Sequence, residues 1–177
     1  RVARVSVEDL VTDGVVYAEI RWAPEQHVTA GLSLDDAVRA VQRGLDEGVQ
    51  DAADDEVDIE VGQILCAMRQ EKGSFEIAQL ALRHRDNGVV GFDLAGPEAG
   101  YPASDHKNAL DLLALNLFPV TIHAGEADGL NSILSAIVDG RALRLGHGVR
   151  IVEDLETELV EDEESEEEPL SIFTAGP

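Results

Sequence analysis

The sequence predicts an α/β fold in which about five parallel strands carry outer helices, an incomplete TIM (β/α)8 barrel. Three observations predict it: strands and helices alternate strictly, most strands end in a polar side chain, and no glycine-rich phosphate loop follows any of them. Strict alternation implies a parallel sheet covered by helices. Strands buried on both faces read as unbroken apolar runs, whereas Glu19, Arg21, Asp93, His123 and His147 lie in these strands and Arg69 follows one. Burying such groups unpaired costs roughly 2–7 kcal/mol each, so one end of the sheet has a polar purpose. TIM-barrel sites are built at strand C-terminal ends. The absence of G-x-G-x-x-G and G-x-x-x-x-G-K-[ST] weighs against a nucleotide-binding doubly wound sheet.

The expected strands are 15–22, 61–68, 89–95, 119–123 and 142–147. Between the first two, Ser33-Leu-Asp-Asp36 reads as a capping box, followed by Val38, Val41, Leu45 and Val49 at helical spacing. Ser74 opens the next helix, which Asn87-Gly88 stops. Ser104 opens another, with Leu110, Leu113, Ala114 and Leu117 on its apolar side, and a shorter helix covers 131–139. Residues 1–155 are expected to form the partial barrel, and 156–177 an acidic, disordered tail.

Composition narrows the function. The formal charge of −23 argues against nucleic acid, because phosphate binding needs clustered Lys and Arg. Eleven acids and no base fall within 153–168, and eight more acids within 46–60 read as a solvated helix end and loop, as in a salt-adapted protein. No apolar run reaches membrane-spanning length and the first residues lack a signal-peptide core, which points to a cytoplasmic protein without membrane partners. Cys66 is the only cysteine, so neither an internal disulfide nor a thiolate zinc cage can form from this chain. A metal would have to use His and carboxylates.

Three segments bear chemistry. Pro119-Val-Thr-Ile-His-Ala-Gly-Glu126 is a strand that delivers His123 and then turns through Gly125 to present Glu126. Imidazole is a good zinc ligand, and a carboxylate beside zinc-bound water can shuttle its proton. An isolated H-x-x-E is more often a hydrogen-bonded core histidine with a surface carboxylate. In Arg144-Leu-Gly-His-Gly-Val149, glycines flank His147 at the end of the next strand, placing a second imidazole on the same rim. In Gly91-Phe-Asp-Leu-Ala-Gly-Pro-Glu98, Asp93 ends a strand and Gly96 opens a turn that can expose a backbone N–H.

Together GFDLAGPE, TIHAGEA and RLGHGVRI, in this order and at these intervals, resemble signature segments of the adenosine deaminase family of zinc hydrolases. Val16-Tyr-Ala-Glu-Ile-Arg-Trp-Ala-Pro-Glu25 resembles a fourth, and the likeness covers roughly residues 1–155. The resemblance implies that His123 is a zinc ligand and Glu126 the proton donor to the purine ring nitrogen. It implies that His147 orients or helps deprotonate the zinc-bound water, and that Gly96 contacts substrate through its backbone. The implied reaction is attack of that water on C6 of adenosine, releasing ammonia and inosine. The His-x-His of the family's first strand and the consecutive aspartates of its last are absent from this sequence, leaving one expected zinc ligand. By this reading the chain is an internal fragment that begins in the helix before the third strand, binds zinc too weakly to retain it, and is catalytically inert alone.

Glu19 and Arg21 are expected to pair inside the barrel, Cys66 and Met68 to be core, His84 to be exposed, and Trp22 to pack under the mouth. His27 and His106 are expected not to bind metal. The edge strands, left unpaired, should promote self-association. The competing functions are deamination of adenine or another aminopurine, a related amidohydrolase activity, and a non-catalytic module that uses its acidic run to bind a basic partner or divalent ions.

Overall fold

The computed structural model describes residues 1–153; the expected tail and its proposed acidic interaction lie outside the described residues. Helix α1 (Val2–Thr12) leads into strand β1 (Tyr17–Trp22), then α2 (Leu34–Asp54), β2 (Glu60–Met68), α3 (Ser74–Arg83) and β3 (Val89–Ala95). A 3-10 turn (Ala103–His106), α4 (Lys107–Leu115), β4 (Val120–Ala124), α5 (Leu130–Val138) and β5 (Arg144–His147) follow. All four strand pairings are parallel and the spatial order is β1-β2-β3-β4-β5, the sequential order expected of a barrel arc. The five strands form a curled half-barrel with helices outside.

Side-chain alternation gives the arc two different faces. Leu65, Ala67, Phe92, Leu94, Val120, Ile122 and Ala124 pack with Ile77, Leu80, Leu110, Leu113 and Ile133 of the helices into the main core. A smaller cluster joins α1, α2 and β1 around Val7 and Leu45. The concave row includes Glu19, Arg21, Asp93, Thr121, His123 and Arg144, and is therefore polar. That row, placed opposite the helix-packed core, is why the strands do not read as unbroken apolar runs.

The capping expectation for α2 holds: Ser33 Oγ accepts the Asp36 N–H at 3.1 Å and donates to Asp36 Oδ2 at 2.7 Å. Other details differ from expectation. The 104–117 segment divides into the 3-10 turn and α4, and Leu117 is exposed at a positive φ of 51° while Phe118 enters the core instead. His84 is buried, with Nε2 2.8 Å from Asp35 Oδ1, because the end of α3 docks on the start of α2. Trp22 lies on the helix-facing side, its indole N–H donating to buried Gln63 Oε1 at 3.0 Å, rather than under the mouth. Glu19 and Arg21 share the concave face as expected but take different partners. Glu19 reaches across the arc to Arg144 at 2.6 Å, and Arg21 approaches Asp93 at 3.4 Å.

Candidate active site

The C-terminal ends of β3, β4 and β5 assemble the polar groups. His123, on the concave face of β4, places Nδ1 2.8 Å from Oδ2 of fully buried Asp93 on β3, and 3.1 Å from Oδ1. A carboxylate at Nδ1 fixes the tautomer with its proton there and leaves the Nε2 lone pair for a ligand. Asp93 also meets Arg21 and accepts from the Cys66 thiol at 3.5 Å. Burial and the Asp93 charge push the Cys66 thiol well above its ordinary range, so it remains a neutral core group.

His147 ends β5 at a φ of 71°, a left-handed conformation uncommon outside glycine. Its ring centroid lies 5.2 Å from that of His123, and its Nε2 lies 3.3 Å from Glu126 Oε2. Thus His123, Glu126 and His147 converge on one rim, with the Glu126 side chain 64% exposed and that of His147 36% exposed. Beside His147, a cavity of about 440 Å³ extends along the concave face past Thr121, Arg21, Glu19 and Arg144. Of the four expected site residues His147 is among its walls, whereas His123, Glu126 and Gly96 are not. Gly96 stands at the end of β3 with φ 96°, where a Cβ would come within 2.6 Å of Gln70 Oε1, so the turn requires glycine.

The link between Gly96 and the other three groups is Glu98, a residue to which sequence reasoning gave no role. Its nearly buried carboxylate accepts the backbone N–H groups of Gly125, Glu126, Ala127 and Asp128 at 2.5–3.1 Å, and the Ser132 hydroxyl at 2.6 Å. Burial opposes its ionisation, but these bonds prevail and hold its pKa down to about 2. Arg69 braces the same region: its buried guanidinium donates to the backbone carbonyls of Tyr101 and His123. The only sequence signal was a carboxylate immediately after Gly96-Pro97.

The other histidines have neighbours of their own. His106 is buried with Nδ1 2.9 Å from Ser74 Oγ and Nε2 3.1 Å from the Arg69 carbonyl, and burial lowers its pKa. His27 is exposed against Trp22, their ring centroids 5.6 Å apart. Among the described residues no group of three or more His, Cys, Asp or Glu side chains could hold a metal ion. The residues present therefore do not complete a zinc site, since catalytic zinc ordinarily takes three protein ligands.

Comparison with known proteins assigns this arrangement. The family model for adenosine deaminase matches residues 1–171. The chain is 56% identical over 156 residues to an adenosine deaminase of Mycolicibacterium vanbaalenii, covering 88% of this chain and 43% of that protein. It is 54% identical over 156 residues to adenosine deaminase 1 of Streptomyces coelicolor, covering 88% and 39% respectively. The chain thus spans less than half the length of these curated relatives. Among solved structures, the apo N6-methyl-AMP deaminase of Arabidopsis thaliana superposes with a TM-score of 0.76 at 32% identity, over 90% of this chain and 48% of that one. With half-barrel topology, strand-end segments and family match in agreement, the chain belongs to the adenosine deaminase family.

Proposed function

We propose that this chain supplies part of the active site of a zinc-dependent adenosine deaminase, in which water replaces the C6 amino group of adenosine to give inosine and ammonia. The observation that carries this reading is the convergence of His123, Glu126 and His147 on adjacent strand ends, within a family match that spans most of the chain. In it, Glu126 delivers a proton to the purine ring nitrogen, and its exposed carboxyl is placed to meet a substrate from solvent. His147, 3.3 Å from Glu126, orients the attacking water and takes up its proton. Gly96 offers its backbone to the purine, and His123 serves as one zinc ligand, its ring set by Asp93.

The remaining zinc ligands are assigned to segments outside the described residues. On this reading the 177-residue chain holds zinc weakly and is inert alone, and its exposed β1 and β5 edges favour association with further strands or other copies. The single, buried cysteine suits the reducing cytoplasm in which we place the protein. Similarity to an N6-methyl-AMP deaminase keeps other aminopurines as the second reading.

The test is a protein of full family length carrying this segment, assayed with adenosine, adenine and AMP for ammonia release. Adenosine should be the preferred substrate, and His123→Ala or Glu126→Gln should lower kcat by at least roughly a hundredfold. Preference for adenine or AMP would favour the second reading, and full activity in Glu126→Gln would reject the assigned acid.

A further inference from the structure

We infer that Glu98 is a positioning residue: it holds the loop after β4 in the one shape that sets Glu126 beside His147, and so couples the Gly96 turn to the proton-moving pair. This inference rests on the roles proposed for Glu126 and His147. Its geometry is independent of them.

Residues 125–128 turn sharply between β4 and α5, so their backbone N–H groups have no strand or helix partners of their own. The Glu98 carboxylate gathers all four, with Oε1 taking Gly125 and Oε2 taking Glu126, Ala127 and Asp128. Oε1 also accepts from Ser132 Oγ in the first turn of α5, joining the loop to the helix behind it. A carboxylate suits this concave set of donors because every atom it presents accepts and the bonds are charge-assisted. An amide would turn an NH2 group toward backbone N–H groups.

Other contacts hold the ends of the loop, with Arg150 N–H donating to the Gly125 carbonyl and Gly129 N–H to Asp128 Oδ1. Gly125 has φ 75°, and Glu126 has its side chain largely in solvent, where its carboxylate meets His147. The Glu126 backbone is anchored through its N–H to Glu98, while the following segment also attaches by Gly148 N–H to the Ala124 carbonyl. Glu98 itself is fixed from the other side, since it lies two residues beyond Gly96 and its 97–101 segment is held by Arg69 at the Tyr101 carbonyl. Movement of the Gly96 turn is therefore transmitted to the backbone that carries Glu126.

The experiment compares backbone-amide NMR of the 177-residue chain with its Glu98→Gln, Glu98→Asp and Ser132→Ala variants. In the unaltered chain the amides of Gly125, Glu126, Ala127 and Asp128 should lie downfield and exchange slowly. Glu98→Gln should move all four upfield and speed their exchange by about tenfold or more, leaving Leu65 and Phe92 in the sheet unchanged. Ser132→Ala removes one donor but keeps the carboxylate, and should speed exchange only about two- to threefold. Should Glu98→Gln fail to fold, Glu98→Asp and Ser132→Ala decide by the same four amides. A folded variant with unmoved loop amides overturns the inference, as does loss of protection spread evenly through the sheet.

A kinetic readout separates positioning from general support. In a protein of full family length, Glu98→Gln should lower kcat at least roughly tenfold with KM within about threefold, and Glu98→Asp should recover part of it. Equal loss of kcat in Glu98→Gln and Glu98→Asp, or a change confined to KM, would count against positioning. Because the amide readout needs neither metal nor substrate, its failure removes the role of Glu98 alone. Responsive amides together with an active Glu126→Gln protein would instead reject the acid assigned to Glu126.

Discussion

His123 and His147 end neighbouring strands and nearly touch, yet their surroundings are opposites. His123 sits on β4, flanked by β3 and β5, with its ring nitrogen held by a fully buried carboxylate. His147 sits on β5, an edge strand among the described residues, at a left-handed backbone position with the solvent-exposed Glu126 carboxylate beside it. On the roles proposed for them, His123, which must hold its direction, is set by neighbours on both sides, whereas His147, which must exchange protons, stays within reach of solvent. The same division explains why the β4 end depends on buried polar partners and the β5 end does not.

If that contrast is right, removing the buried partner should be far costlier than removing either exposed group. Asp93→Ala should destabilise the fold by about 4 kcal/mol in urea titrations, because the His123 Nδ1–H and the partly exposed Arg21 guanidinium both lose the buried carboxylate that accepts from them. A loss under about 1 kcal/mol would erase the proposed distinction. Acid should act next, through Glu98. Its pKa in the fold lies near 2, below the ordinary 4.5, so its stabilisation is complete above the ordinary value and disappears as pH falls through about 2. That contribution is on the order of 3 kcal/mol at neutral pH. Glu98→Gln should therefore flatten the fall of stability between about pH 4.5 and 2, measured against the unaltered chain by denaturant titration at each pH.

Gly125→Ala sharpens the picture at the loop itself. A Cβ there would meet Ile133 Cδ1 at 2.6 Å at a φ of 75°, and the expected loss is about 2 kcal/mol, read by the same titration. The smallest effect belongs to the edge: His147→Ala should change stability by less than about 0.5 kcal/mol while removing most deaminase turnover in a protein of full family length. Equal stability losses for His147→Ala and Asp93→Ala would break the comparison.

The legible and illegible parts of the molecule follow from the range of the interactions that form them. Ser33 and the apolar periodicity of α2 are local, and sequential parallel strand order follows from alternating strands and helices, so the half-barrel could be read from the sequence. The strand-end segments also singled out His123, Glu126, His147 and Gly96 as candidates, because their spacing resembles a family pattern. What escaped was long-range pairing. Glu98 meets a loop 27–30 positions away, Asp35 buries His84 from 49 positions away, and Glu19 chooses Arg144 rather than its near neighbour Arg21. Periodicity carries no information about such partners. The end of α4 was misjudged for a local reason: Leu117 adopts a left-handed conformation without being glycine, so no stop signal is written there.

On the proposed reading, this chain carries the proton-moving groups of a deaminase without a complete set of zinc ligands among its described residues. The most direct measurement is inosine formation by the purified 177-residue chain given zinc and adenosine, beside a protein of full family length under the same conditions. Inosine is expected from the longer protein and none above background from this chain. Sustained turnover by the 177-residue chain, abolished by Glu126→Gln, would contradict it.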